Sequence, residues 1–320
     1  MNVAEILTVI GPLFVVILIG VGASFSPKVY STEPALSTFV LYFALPAFLF
    51  SAVASAPIER GVPWEFVLIA FSVPAVTSVA TFTIAHLVRG QVRSLAAPLS
   101  LAASYGNVGY LGVPITLSVL GPEAGLPAAI GQLVHNVMFM LGYPLIRSLF
   151  ARSSDTVSAR QQVWAAVKKA LLLNPITISI VAGVVLALVD VDLQPAISQP
   201  VELFSQTAVP LAMFAVGLKL PSSLRGLREG SVPTTALLLT NFVKLITLPV
   251  LTIGAIVLFA SDLDRNWVIG LVVMAAMPTS TTAYVLSQSE DADPRIVSST
   301  IATSTSVALI TIPVVLSFYN

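Results

Sequence analysis

Apolar runs of about 20 residues, the length a helix needs to cross a bilayer, follow one another along almost the whole chain. Ten can be read, near 5–24, 35–55, 64–88, 95–119, 124–147, 171–190, 198–219, 233–260, 266–288 and 296–317. No other feature constrains the fold as much. A backbone in lipid must satisfy its own N–H and C=O groups, which leaves helices or closed barrels, and runs of this length select helices. The chain is 56% apolar and 9% charged, where soluble domains carry roughly 25% charged residues. The expected fold class is an all-α integral membrane protein of ten transmembrane helices. The first run reads as a span rather than a cleaved leader, because Met1-Asn-Val-Ala-Glu5 lacks a basic segment and the apolar stretch exceeds a signal core.

Charge placement sets the orientation, since Lys and Arg collect in cytoplasmic loops. With the N-terminus outside, all of the 15 Lys and Arg except Arg60, Arg265 and Lys244 fall at inner loops. The expectation is a multi-pass protein of the cell membrane with both termini outside. A net charge of zero gives no footprint for nucleic acid, and the absence of Cys removes disulfides, thiol nucleophiles and Cys-based metal sites. There is no P-loop, no HExxH pair and no buried carboxylate dyad, so neither an enzyme nor a metal or cofactor is expected.

The longest polar connection, 151–170, divides five spans (1–150) from five (171–320), and 161–170 reads as a short amphipathic helix at the inner surface. An odd number of spans per half inverts the second half relative to the first, the repeat used for alternating access. Pro46 and Pro210, Pro57 and Pro221, Gly106 and Gly270, and Pro114 and Pro278 fall on one diagonal at an offset of 164.

Two spans are interrupted. The fourth carries Asn107-Val-Gly-Tyr-Leu-Gly-Val-Pro114, and the ninth carries Met277-Pro-Thr-Ser-Thr-Thr282. Gly loosens a helix and Pro removes a donor, and broken backbone survives in a membrane only where protein or a water-filled cavity covers it. Two breaks at matching depth in the two halves point to a transporter binding site. If they cross, two half-helix N-termini present partial positive charge and two C-termini present carbonyls. Asn107, Gly109, Tyr110, Ser280 and Thr281 are placed at that site and Thr279 as a cap of the outgoing half-helix.

The fifth span adds Gln132, His135 and Asn136; a polar stripe at mid-depth faces protein or a cavity. Asn136 reads either as a substrate contact or as an interhelical hydrogen bond, and His135 either as a proton relay or as a packed residue. Lys244 is the charge deepest in any span, with Asn241 on its face. Attraction of an anionic substrate, hydrogen bonds to carbonyls of a broken helix, and proton exchange are all open to it. Gln206, one turn before Pro210, is placed at the cavity edge. The Ser and Thr residues of 298–306 read as close helix packing.

At these motifs the chain resembles the auxin efflux carrier family, which includes plant PIN proteins and bacterial malonate-type permeases. Asn107-Val-Gly-Tyr-Leu-Gly-Val-Pro114 is similar to that family's fourth span, Pro210-Leu-Ala-Met-Phe-Ala-Val-Gly-Leu218 to its seventh, and Met277-Pro-Thr-Ser-Thr-Thr-Ala-Tyr-Val285 to its ninth. The resemblance implies a fold like that of bile acid:sodium symporters. Spans 1, 2, 6 and 7 would form a scaffold, and spans 3–5 and 8–10 a transport domain moving as an elevator. It implies a secondary carrier of small organic anions, mono- or dicarboxylates including indole-3-acetate-like acids, with the carboxylate held at Asn107. It also implies that Pro114 and Pro278 make the crossover. H+ or Na+ is the expected coupling ion, although no Asp or Glu stands at the depth of the symporters' sodium ligands. Scaffolds of such folds often pair, which extends the implication to a homodimer. A sodium-coupled carrier of sterol-like anions and a membrane sensor that moves no cargo are the alternatives.

Overall fold

Three of the departures from α geometry in these helices come just before a proline. The computed structural model describes residues 3–56, 61–88, 91–150, 164–165, 167–189, 193–228, 232–289 and 294–318; Pro57, most of the 151–170 connector and the amphipathic helix expected there lie outside or largely outside them. Within these residues the chain is helical, and the sole extended pairing is one isolated bridge. In three places a five-residue π turn precedes a proline: Val40–Ala44 before Pro46, Val108–Gly112 before Pro114 and Val243–Thr247 before Pro249. A proline cannot donate to the carbonyl four residues back and its ring collides with it. Widening the preceding turn moves that carbonyl aside, so the helix continues through the proline.

The helices used below are α1 (Val3–Ala23), α2 (the run Pro27–Ala54), α3 (Trp64–Leu87), α4 (Ala96–Ser104), α5 (the run Val108–Leu120), α6 (Gly125–Phe150), α7 (Pro175–Val189), α8 (Pro195–Arg228), α9 (the run Thr234–Phe259), α10 (Arg265–Ala276), α11 (Thr281–Ser289) and α12 (Arg295–Ser317). Helix thus occupies each of the apolar ranges read from the sequence. Among the described residues, α2, α3, α9, α12 and the 195–224 part of α8 are long and apolar enough to cross a membrane by length and composition. Their outward faces are apolar: Leu258 is 75% exposed, Ile310 70% and Leu203 67%. Contiguous apolar surface of this kind is intolerable in water over so large an area, whereas hydrocarbon solvates it. The protein is an integral membrane protein.

Packing gathers the helices into two groups. In one, α1 lies against α8, and α2 against α7 and α8; in the other, α3 lies against α4, α6 and α9, and α9 against α10. The α1–α8 contact is close because both helices offer glycine at the crossing. A Cβ on Gly20 would strike the Phe214 carbonyl, and one on Gly217 the Ile17 carbonyl. Small residues let membrane helices approach, since dispersion rather than hydrophobic exclusion holds them together. α12 packs on α1 and α8 as well as on α10, and a buried core including Ile10, Leu45, Ile115, Met213, Val273 and Ile312 joins the groups.

Candidate functional site

The chain stops being helical at 105–107, between α4 and α5, and at 277–280, between α10 and α11. In the second break the cause is local. Pro278 disfavours helical geometry in its predecessor, and Met277 takes φ −64° and ψ 141°, ending α10 at Ala276. In the first, Tyr105 turns extended at φ −80° and ψ 100°. There space is tight: a Cβ on Gly106 would sit 3.1 Å from Lys244 Nζ and 3.3 Å from the Met274 carbonyl.

The two breaks cross and pair. Asn107 N–H donates to the Pro278 carbonyl (2.7 Å) and Ser280 N–H to the Tyr105 carbonyl (2.8 Å), with Gly106 and Thr279 forming an antiparallel bridge. Peptide groups that neither half-helix can satisfy are thereby satisfied by the other break, as burial requires. A shift of 173 residues carries Tyr105 to Pro278, Gly106 to Thr279 and Asn107 to Ser280, and exchanges the two bonds. The offset of 164 therefore fails at the crossover. Pro114, expected to create it, lies instead inside α5 beyond the π turn; the break falls at 105–107, where Gly106 permits close approach.

On one side of the crossover lies a cavity of about 390 Å³. The wall from the α3–α6 and α9–α12 part of the molecule includes Tyr105, Gly106, Asn107, Gly109, Tyr110, Gln132, Asn136, Ser280, Thr281 and Thr282; α2, the start of α7 and α8 contribute Ser37, Thr38, Tyr42, Asn174, Pro175 and Lys219. Among the described residues, Lys219 is the one charged residue of this wall. Glu33, a turn from Ser37 on α2, accepts that residue's hydroxyl (2.8 Å) and is not part of the wall.

Three helix N-termini open on the cavity. α5 begins after Asn107. α11 begins after Ser280, whose Oγ accepts from Thr282 N–H (3.2 Å). α7 begins after Asn174, whose Oδ1 accepts from Ile176 N–H (3.0 Å), with Pro175 in the first turn, where its missing donor costs nothing. Each N-terminus carries a partial positive charge. The Asn107 side chain makes no capping bond and has no hydrogen-bond partner among the described residues, leaving its amide for the cavity. Tyr105 OH donates to Asn136 Oδ1 (2.8 Å) and its ring stacks on Phe139 at 4.4 Å, which turns the Asn136 amide. Gln132 Nε2 packs over Gly109, and Tyr110 OH reaches the Ser37 carbonyl (3.2 Å) across the cavity.

Other residues read as site candidates lie elsewhere. Thr279 does not cap α11, a role Ser280 takes. It is buried in the crossover, its Oγ1 donating to the Ala102 carbonyl (2.7 Å) and its N–H to Ser304 Oγ (3.1 Å). His135 is buried behind the break, where Nε2 accepts Gly106 N–H (2.9 Å). Lys244, 0% exposed, lies behind Gly106 and does not line the cavity. Asn241 pairs with Thr303 on α12 (2.8 Å), and Gln206 is exposed and bonds to Glu202 (3.1 Å), away from the cavity.

Residues missed by sequence reasoning are Lys219, Asn174, Tyr105 and Ser304. Lys219 reads as a loop charge because it closes an apolar run, yet α8 continues through it to Arg228. Asn174 carried a signal, since Asn followed by Pro marks a helix start. Ser304 had none: it sits in a serine- and threonine-rich helix, and only the crossing of Thr279 makes it a partner.

The chain matches the model of a family described as "Membrane transport protein" over residues 5–316. A protein of Rhizobium meliloti (strain 1021) with the name "Putative malonate transporter" is 27% identical over 277 residues, 87% of this chain and 84% of that protein. An "Uncharacterized transporter" of Methanothermobacter thermautotrophicus is 28% identical over 286 residues, 87% of this chain and 86% of its own length.

Proposed function

The chain belongs to the membrane transport protein family, and from that premise we propose that it is a secondary carrier of small organic anions. The observation that carries this reading is the make-up of the cavity wall among the described residues: one cation, three helix N-termini, neutral amides and hydroxyls, and no carboxylate. In a partly dry space such a wall favours an anion and disfavours a cation. A short dicarboxylate suits it well. One carboxylate lies at Asn107, Ser280 and Thr281, the other toward Lys219 and the start of α7. The name of the Rhizobium relative points to the same class.

The carrier has ten spans, both termini outside, and two inverted halves, 1–150 and 171–320, joined by 151–170. The exchange of hydrogen bonds at the crossover supports the inversion. In this orientation Lys219, Asn174 and Ser37 stand at cytoplasmic ends, so the cavity opens inward. α1, α2, α7 and α8 form a scaffold, past which the remaining helices carry the crossover and its cargo by alternating access.

Uptake of labelled malonate into proteoliposomes tests the carrier, alongside a melting screen of carboxylates, because a ligand of the folded state raises its stability. Binding without flux eliminates transport and leaves a sensor. Uptake lost when sodium is replaced by choline makes it a sodium symporter.

A further inference from the structure

Away from the crossover, on a face turned to the lipid, a groove of about 450 Å³ runs between α3 and α9. Its α3 wall is formed by Glu65, Leu68, Ser72 and Val76, and its α9 wall by Leu251, Ala255 and Phe259. Residues three or four apart share one helix face, so the groove follows the helices rather than crossing them. Ala255, midway along the α9 wall, is too small to fill the space before it. At 1.5 Å per residue, Trp64 to Val76 spans about 18 Å, and half of a bilayer's hydrocarbon core is about 15 Å. The groove is therefore as deep as one leaflet, the reach of one acyl chain. Trp64 opens α3 and is 66% exposed, as suits the aromatic belt at a membrane interface. Beside it Glu65 is half-buried and has no hydrogen-bond or ion-pair partner among the described residues. Apart from Ser72 and the Trp64 indole, the other described side chains of the wall are apolar.

We propose that this groove binds one phospholipid with an ethanolamine headgroup, an acyl chain lying between α3 and α9 and the ammonium meeting the Glu65 carboxylate at the interface. The carboxylate repels an anionic headgroup or a fatty acid. A primary ammonium offers it both charge and N–H donors, whereas the quaternary ammonium of a choline lipid has no N–H. A small organic anion finds no partner on this wall, so the groove is not a second substrate site. Dispersion holds membrane helices together, and a chain seated here completes the packing between α3 and α9. In the orientation proposed above the lipid belongs to the outer leaflet. The site itself does not rest on the carrier reading.

Native mass spectrometry of the full chain released from nanodiscs tests the site, with phosphatidylethanolamine, phosphatidylcholine and phosphatidylglycerol present in equal amounts. The wild type should retain one lipid, with phosphatidylethanolamine enriched roughly two- to fivefold over phosphatidylcholine, as a partly exposed ion pair gives. Glu65→Gln should retain one lipid without that preference. Ala255→Phe, which fills the groove, should retain none. In detergent, added phosphatidylethanolamine should raise the melting temperature of the wild type and leave that of Ala255→Phe unchanged. A wild type that retains no lipid overturns the proposal. So does Ala255→Phe retaining phosphatidylethanolamine as the wild type does, which places the lipid elsewhere. An unchanged preference in Glu65→Gln, or retention of phosphatidylglycerol or added oleate ahead of phosphatidylethanolamine, overturns the assigned headgroup and the proposal with it. If Ala255→Phe yields no folded protein, Val76→Trp fills the deep end of the groove and decides in the same way.

Discussion

The two faces of the crossover share one pair of broken helices and differ in how their polar groups are spent. On the cavity face, the Asn107 amide is unpaired and Thr281 and the start of α11 look into open space. On the packed face, Thr279 bonds to Ala102 and Ser304, and His135 to Gly106. A polar group without a partner beside a cavity is available to a ligand, whereas one tied to backbone holds the fold. The contrast teaches that polarity at a helix break is no sign of binding until its hydrogen bonds have been traced. It also separates two observables, because substitutions on the front should change affinity and those behind should change stability.

Gly106 lies between the faces and should show the largest effect. Gly106→Val places a branched side chain against the Met274 backbone carbonyl, and overpacking of this kind costs about 3 kcal/mol. Both the melting temperature and malonate affinity should fall. A variant that melts like the wild type would show that the crossover is looser than its hydrogen bonds imply.

Asn107→Ala should lower affinity by about 1–3 kcal/mol, roughly five- to 150-fold, with the melting temperature nearly unchanged, as measured by malonate titration of the purified variant. Unchanged affinity would reduce Asn107 to a structural residue and erase the distinction between the faces. Lys219→Gln sharpens the reading of the cavity. Lys219 is only half-buried, so salt screens it, and the loss should be about 1 kcal/mol, roughly fivefold. The loss should be greater for a dicarboxylate than for a monocarboxylate and should shrink as salt is raised. Equal effects on both ligands would place the second carboxylate elsewhere.

Thr279→Val should give the smallest change. It removes the hydroxyl bond to the Ala102 carbonyl, worth about 0.6–2 kcal/mol between membrane helices. The melting temperature should drop by a few degrees while affinity holds. The reverse pattern would move Thr279 to the cavity face.

The membrane class and the helix ranges were legible because bilayer thickness leaves so few ways to place apolar runs. The existence of two breaks was legible for a similar reason, as Gly and Pro act on the backbone locally. Pro278 marked its break directly. Pro114 misled, because a proline can be absorbed by a preceding π turn, and the true break came at Gly106, where a close neighbour rather than a local preference decides. Lys244 read as a site residue because depth in a span says that a charge needs a partner, not which side of the crossover supplies it. Lys219 was overlooked because the end of an apolar run resembles the end of a helix.

By itself, then, the sequence determined that this protein lives in a membrane as helices, two of which are interrupted, since those properties follow from hydrophobic length and backbone chemistry along the chain. The tertiary structure alone decided that the breaks pair through Asn107, Pro278, Tyr105 and Ser280, that Lys219 and Asn174 join the cavity, and that Lys244 stands behind it. Each of those contacts joins residues far apart in the chain. A side chain's role there is set by what another segment brings within 3 to 4 Å, the range over which hydrogen bonds and packing act.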